Sequence, residues 1–484
     1  MKNKLIYELS RSGKRTYIPI KKDPSLKTSE ELLPGEVLRK EKAYLPEVSE
    51  LDVVRHYTNL SQLNMSVDTN FYPLGSCTMK YNPKISEYVT LNSQFKDIHP
   101  YYPEKFSQGA LEILYKTANY LEKISGMDKV TFQPAAGAHG ELTSLLVIRA
   151  YHTLKGNPRK KVIVPDSAHG TNPASSALAG YEVVEVRSNK RGMVDCEHLR
   201  ELMDEDVAAI MLTNPNTLGI FEENIKKIAD IAHEYGALLH YDGANLNAIL
   251  GRVRPGDMGF DTIQFNLHKT FATPHGGGGP GSGPVGVKAH LIDFLPVPQI
   301  EKNNEGKYFL NYDYPHSIGK VRAFYGNFLV VLKAYVYLRI LGESGIFETS
   351  DAAVLNANYL LSLIRDYFDV QYDERYMHEF VISTKRYKNK GIKALDVAKR
   401  LIDYGFHPPT IYFPLIVKED LMIEPTETED RETIEKFADA LKEIVREIED
   451  NPDILKDAPH TTPVKRLDEV WAARNLILRY EKKD

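Results

Sequence analysis

From residue 67 to about 335, short apolar runs alternate with stretches whose apolar positions recur every three or four residues. The runs Lys161–Pro165, 181–186, 208–212, 237–241, 261–265 and 284–287 are too short for helices and rich in Val, Ile and Leu, so they predict strands. Near-continuous apolarity, in place of strict alternation, predicts a sheet buried on both faces. Helices between successive strands make that sheet mostly parallel. One such helix, at 222–235, carries Ile225, Ile228, Ala229 and Ala232 at helical spacing, and this stripe should face the sheet. Near residue 336 the pattern changes to long amphipathic helices with a few short strands. In 431–449 the residues Ile434, Phe437, Ala438, Leu441, Ile444, Val445 and Ile448 form one stripe, with Glu429 and Asp430 where a helix dipole favours acids. The expectation is an α/β chain with a large domain at 67–335 and a smaller C-terminal α+β domain at 336–460. Residues 1–66 are polar and proline-punctuated and read as an arm that contacts a partner subunit, and 461–484 reads as a tail.

Composition narrows the function classes. The chain has 484 residues, 42% hydrophobic and 26% charged, with a net charge of −5 from 61 basic and 66 acidic side chains. That balance predicts neither a nucleic-acid partner nor an anionic membrane surface. Cys77 and Cys196 are too few for a disulfide framework and lack metal-site spacing. The N-terminal segment has no apolar signal run, and no stretch approaches a membrane span, so a cytoplasmic location is expected. No zinc or Walker motif is present, and no metal is expected.

The segment Asn266-Leu-His-Lys-Thr-Phe-Ala-Thr-Pro-His-Gly-Gly-Gly-Gly-Pro280 follows one predicted strand, and Asp242-Gly-Ala-Asn245 follows the strand before it. Both therefore sit at the carboxyl edge of a sheet, where open α/β folds bind ligands. A lysine and an aspartate so placed are what a protein needs to hold pyridoxal 5'-phosphate. Lys269 forms the Schiff base, and Asp242 pairs with the protonated pyridine nitrogen, which makes the ring an electron sink. Most lysines are solvated surface charges, and an Asp-Gly after a strand is more often a turn; the pairing one strand-helix-strand unit apart favours the cofactor. Gly243 and Ala244 leave room for a flat ring, and His268 and Thr270 would donate to the phosphate.

Pro134-Ala-Ala-Gly-Ala-His-Gly140 precedes a helical pattern at 141–155. Its small residues Ala136, Gly137 and Ala138 would cradle the phosphate at a helix N-terminus. His169, in a polar loop after the next strand, would stack on the ring, and the Thr217 hydroxyl would reach cofactor or substrate. The bland alternatives are a hydrogen-bonded loop histidine and a capping threonine. The G-x-G-x-x-G match at 281–286 contains Pro284 and lacks a following βαβ unit, so it reads as a glycine loop feeding a strand; Gly276 to Gly279 read as a movable wall beside the cofactor.

Longer motifs carry a family resemblance from about residue 50 to 450. They include Pro73-Leu-Gly-Ser-Cys-Thr-Met-Lys80, Ile98-His-Pro100, Phe132-Gln-Pro134, Gly137-Ala-His-Gly-Glu141, Ser167-Ala-His-Gly-Thr-Asn-Pro-Ala-Ser175, Gly219-Ile-Phe-Glu-Glu223, Asp242-Gly-Ala-Asn245, the Lys269 segment, Tyr404-Gly-Phe-His407 and Glu424-Pro-Thr-Glu427. In these the chain resembles the C-terminal half of the glycine decarboxylases, the P-proteins of the glycine cleavage system, and in length it is similar to the second subunit of the two-subunit form. The resemblance implies a fold-type-I, aspartate aminotransferase-like pyridoxal phosphate enzyme, with Lys269 and His169 as catalytic residues and Asp242 on the ring nitrogen. It implies release of CO2 from glycine and transfer of an aminomethyl group to the lipoyl arm of the H-protein. A separate first, alpha-type subunit is implied as well, two copies of each forming a heterotetramer. Ser76, Cys77 and Thr78 are candidates for steering the glycine carboxylate, with a plain packed thiol as the alternative for Cys77. Family members vary between Gln and His at the place of His139, so it is given no essential role. Two alternatives stay open: another fold-type-I enzyme, either an aminotransferase or a different amino-acid decarboxylase, and a non-catalytic scaffold whose partner holds the site.

Overall fold

The computed structural model describes residues 4–16, 25–41, 43–276 and 281–480. They divide into two compact units, one of residues 1–66 with 459–484 and the other Val67–Ala458.

The larger unit is organised by a seven-stranded sheet. Its strands are β1 Lys129–Thr131, β2 Lys161–Pro165, β3 Glu182–Val186, β4 Val207–Leu212, β5 Leu238–Gly243, β6 Thr262–Phe265 and β7 Val285–Val287, in the order β1-β7-β6-β5-β4-β2-β3. The five strands from β2 to β6 pair in parallel, whereas β7 runs antiparallel to both β6 and β1. The six predicted strands are all present; β1 is only three residues long and carries no pattern of its own.

Every residue of β4, β5, β6 and β7 is buried, as expected for strands covered on both sides. Alternation, shifted by one residue at Ala208 where the pairing of β4 with β2 slips, then sorts their side chains. Val207, Ile210, Leu212, Leu239 and Tyr241 pack into one core with Ile225, Ile228 and Ala232 of the helix Ile225–Glu234. Ala208, Met211 and Leu238 face the opposite core with Leu145, Val147 and Ile148 of the helix Gly137–Leu154. A single-residue register slip in β4 would send each set to the wrong side.

A third core lies under an antiparallel sheet, β10-β12-β11, formed by β10 Phe380–Ser383, β11 Thr410–Ile411 and β12 Asp420–Ile423; the intervening β8 Gln299–Lys302 and β9 Tyr308–Asn311 form a separate hairpin. The stripe from Ile434 to Ile448 is buried here on the helix Arg431–Asp450, and the Asp430 side chain accepts from the Thr433 N–H at 2.8 Å as its N-cap. Each large residue of that stripe contributes roughly 1.5–3 kcal/mol by leaving water. The helix Phe328–Ile364 is broken at Gly342, whose φ of 62° and ψ of −168° only glycine adopts readily. Among the described residues no helix is long and apolar enough to cross a membrane.

In the smaller unit no described residue from 4 to 66 is buried. Its order comes from local contacts: Tyr7 stacks on Tyr480 with centroids 4.5 Å apart, and the Glu50 N–H donates to Thr16 Oγ1 at 2.6 Å. Large apolar side chains remain in the open, among them Leu26 at 73%, Ile477 at 78% and Leu478 at 83% exposure.

Candidate active site

Lys269 lies beyond β6. The strand stops at Phe265 and a turn follows, closed by the Lys269 N–H on the Asn266 carbonyl at 3.0 Å, so the lysine sits just past the sheet edge and not on the strand itself. Its Nζ donates to the Ser76 carbonyl at 2.8 Å. Residues 193 positions apart are thereby joined, and the Ser76-Cys77-Thr78 segment comes to the lysine.

That segment has an unusual backbone. Ser76 and Thr78 adopt φ of 61° and 47°, the left-handed region that β-branched residues avoid. Such conformations cost about 1–3 kcal/mol each and persist only where the surroundings over-determine them. Here the Ser76 N–H donates to Glu379 Oε2 at 2.7 Å, the Thr78 N–H to Glu424 Oε2 at 2.8 Å, and the Thr78 hydroxyl to Glu424 Oε1 at 2.6 Å. The carbonyls between those N–H groups turn the other way, Ser76 to Lys269 and Cys77 to His275 Nε2 at 3.1 Å. The Cys77 thiol is free, and burial pushes its pKa up, so it is held as a thiol.

Asp242 is the second fixed point. It lies within β5, which extends past Tyr241 to Gly243, and is 2% exposed. Oδ2 accepts from Asn172 Nδ2 at 2.9 Å, and Oδ1 accepts from Gln264 Nε2 and from the Ala244 N–H at 3.0 Å. A carboxylate offers about four acceptor directions, so these three donors leave one open, on Oδ2. His169 is electrostatically coupled to both Lys269 and Asp242; burial first, and then Lys269, lowers its pKa and keeps the ring neutral. The Thr171 N–H donates to His169 Nδ1 at 3.2 Å, and Thr171 Oγ1 bonds Glu141 Oε1 at 2.9 Å. Glu141 is raised to about 7 by burial and by Asp242 beside it.

The third fixed point is the start of the helix Gly137–Leu154. The helix begins four residues earlier than the periodicity from 141 suggests, because Gly-Ala-His-Gly reads as loop by propensity. Ala136 is its N-cap and makes no side-chain cap, so the first-turn N–H groups, which have no acceptor within the helix, are available to an anion. Glycines bring the 281–283 segment against this turn. A Cβ on Gly283 would lie 2.0 Å from the Ala136 carbonyl oxygen, and one on Gly137 would lie 2.2 Å from Asn266 Oδ1. His268 meets the same segment, its Nδ1 accepting from the Ser282 N–H at 3.4 Å, and burial lowers its pKa to about 3, so it enters as a neutral ring. The Thr217 hydroxyl donates to the Ser167 carbonyl, tying the loop after β4 to the loop after β2. Gly276 has φ of 79°, and the rest of the expected glycine wall, 277–279, lies outside the described residues.

These contacts allow a test of fit for pyridoxal phosphate. Thr270 Oγ1, directly after Lys269, is buried without a hydrogen-bond partner, and so is Ser282 Oγ. Buried hydroxyls are ordinarily paired. An amine, an anion with one open acceptor direction, a helix N-terminus lined by small residues and an orphaned hydroxyl match the amine-reactive carbonyl, the ring nitrogen and the phosphate of that cofactor. Glu379, Glu424, Asn172 and Gln264, which the sequence did not single out, hold the candidate residues Ser76, Thr78 and Asp242. Asn172 and Glu424 lie inside the motifs quoted above, Gln264 lies in the strand expected at 261–265, and Glu379 is an acid that enters the apolar run of β10.

The profile of the family described as "Glycine dehydrogenase, C-terminal domain" matches residues 349–462, and that of "Aminotransferase class-V" matches 138–279. The chain is 59% identical over 481 residues to the "Probable glycine dehydrogenase (decarboxylating) subunit 2" of Caldanaerobacter subterraneus subsp. tengcongensis, covering 99% of each chain. It is 56% identical to the protein of the same name from Bacillus velezensis, covering 99% of this chain and 97% of that one. Among solved structures it is similar to a glycine decarboxylase (P-protein) of the glycine cleavage system in inhibitor-bound form, with a TM-score of 0.73, 21% identity and coverage of 86% and 95%. A cysteine desulfurase from Thermococcus onnurineus NA1 gives a TM-score of 0.61 at 14% identity over 78% and 95%; both likenesses concern the fold.

Proposed function

The chain belongs to the family of glycine dehydrogenase (decarboxylating) subunit 2, and on that premise we propose that it is the pyridoxal phosphate-dependent glycine decarboxylase subunit of a glycine cleavage system. The fold is the fold-type-I α/β architecture, a large mostly parallel sheet with a smaller α+β part. When bound, the cofactor supplies an electron sink for the pair released as the glycine carboxylate leaves as CO2. The chain's own residues do the rest. Lys269 would hold the cofactor through its amine, which the Ser76 carbonyl positions by a hydrogen bond. Asp242, caged by Asn172 and Gln264, keeps the ring nitrogen protonated through its open Oδ2 direction. His169, a neutral imidazole, would lie against the ring, with Ala244 beside it. Ala136, Gly137, Ala138 and the Thr270 hydroxyl receive the phosphate, with Thr217 and His268 at the margin. Ser76, Cys77 and Thr78 would orient the glycine carboxylate for its loss.

The observation that carries this reading is the 2.8 Å contact between the Lys269 amine and the Ser76 carbonyl. It brings the segment proposed for substrate to the residue proposed for cofactor. The partners proposed are the first subunit, two copies of each chain making the assembly, and the lipoylated H-protein, in the cytoplasm. The open apolar side chains of 4–66 and 459–480 support a partner chain, because exposed apolar surface on this scale marks interaction sites. The test is exchange of the glycine carboxyl with labelled bicarbonate by the chain co-expressed with its first subunit, with and without H-protein. Exchange that depends on H-protein is expected; transamination without exchange would replace this reading with another fold-type-I activity.

A further inference from the structure

Behind the Ser76–Thr78 loop lies a buried cluster of two acids and a histidine. Glu379, Glu424 and His378 are each 0% exposed. His378 Nε2 is 3.8 Å from Oε1 of both acids, neither ring nitrogen has a hydrogen-bond partner, and one donor atom from each of the three groups falls within 4.8 Å of the others. Asn245 Nδ2 donates to the remaining Glu379 oxygen at 3.2 Å. Glu427 stands beyond Glu424 but is paired with Lys80 at 2.6 Å, and Cys77 is a neutral thiol, so the cation the two acids face is Lys269.

Two ionised carboxylates so close, with one lysine to balance them, leave an uncompensated buried charge, an arrangement proteins avoid by retaining a proton. We propose that Glu379 and Glu424 act as one positioning unit: carrying a single proton and hence one negative charge between them, they hold the Ser76 and Thr78 N–H groups inward, turn the Ser76 carbonyl onto the Lys269 amine and balance the lysine's charge. The proposal rests on the reading of Lys269 as the cofactor lysine. Three further facts agree with it. Both acids are raised, Glu379 by burial and then by Glu424, and Glu424 to about 7 by burial. Burial holds His378 at about 3, so the ring between them is neutral and does not supply a second cation. The left-handed backbone at Ser76 and Thr78 is the shape that points alternate N–H groups at the acids and the intervening carbonyls at Lys269 and His275.

A shared proton makes an uncommon prediction about single and double variants. In Glu379→Gln or Glu424→Gln the remaining acid ionises, so one negative charge survives; only the double variant loses it. Infrared difference spectra of the cofactor-free full chain at neutral pH should show a protonated-carboxyl band in the parent that each single variant lacks. In the loaded complex, the pH midpoint of the cofactor's visible band should stay near the parent value in the single variants and fall by about one unit or more in the double. Glycine exchange should fall on the order of 100-fold in the double and far less in the singles. Parent-minus-variant spectra with no protonated-carboxyl loss in either single variant, an unmoved midpoint in a folded double variant, or a metal ion found with the full chain and lost on substitution of His378 would each overturn the proposal. If the double variant does not fold, the infrared arm on the single variants still decides. A parent chain with no visible band would instead defeat the cofactor reading, and the infrared result stands apart from it.

Discussion

Asp242→Asn separates charge from shape at the proposed ring partner. The change replaces one carboxylate oxygen by an NH2 group, which ordinarily faces a buried donor with another donor at a cost of about 1–3 kcal/mol. The local hydrogen bonding absorbs it. The Ala244 N–H keeps its acceptor if the new amide oxygen takes the Oδ1 place, and the NH2 then faces Asn172. Asn172 has a buried Oδ1 with no partner, so turning its amide by half a revolution offers the acceptor required. Stability should change by less than about 1 kcal/mol, with a melting shift of no more than a few degrees. Catalysis should not be spared. An opposite charge at close range moves a pKa by about 1–3 units, so removing it lowers the protonated fraction of the ring nitrogen by about 10- to 1,000-fold. The expected result is a folded variant that still binds cofactor, with bicarbonate exchange reduced by about 10-fold or more. Exchange within threefold of the parent would refute the pairing of Asp242 with the ring, and a variant that fails to fold would refute the amide-turn argument.

Three further outcomes follow from other contacts. Lys80, 2% exposed and bonded to Glu427, Asn247 and Tyr337, is a buried cation; Lys80→Met should lower chemical-denaturation stability by about 3–5 kcal/mol, most of it recovered in Lys80→Met with Glu427→Leu. Gly283→Ala would push a methyl onto the Ala136 carbonyl oxygen and open the phosphate cradle, so cofactor affinity measured by equilibrium dialysis should fall at least about tenfold while the melting temperature falls modestly. Glu141 is raised from 4.5 to about 7 in the folded chain, so between those values the folded state holds a proton that the unfolded state has lost. Its contribution is therefore full below pH 4.5, declines as the pH rises to about 7, and is flat above; Glu141→Gln should flatten that part of a stability-against-pH curve, and an unchanged slope would count against it.

The sheet was legible because its inner strands are continuous apolar runs, and the helix Arg431–Asp450 because its stripe is unbroken. Lys269 and Asp242 could be found because each stands a few residues from such a run. What holds them could not. Ser76 meets Glu379 across 303 positions, and Thr78 meets Glu424 across 346. Nothing in local periodicity encodes a contact at that separation, and an acid outside its tertiary setting reads as surface. The early start of the helix at Gly137 escaped for the opposite reason: its first turn carries two glycines, poor helix formers tolerated because that turn must pass close to Asn266 and Gly283.

That close passage has a consequence for how this sequence can vary. Gly137 is pressed by Asn266, Gly140 lies 2.7 Å from the Gly283 carbonyl oxygen at its would-be Cβ, and Gly283 is pressed by Ala136. The obstacles are mostly main chain, which no rotamer change can move aside. Each residue is small because its neighbour is near, and each neighbour is near because the residue is small. Variation must therefore pass through coordinated replacement of the whole turn and the strand entry opposite it, so this corner of the chain should change last among the descendants of its lineage.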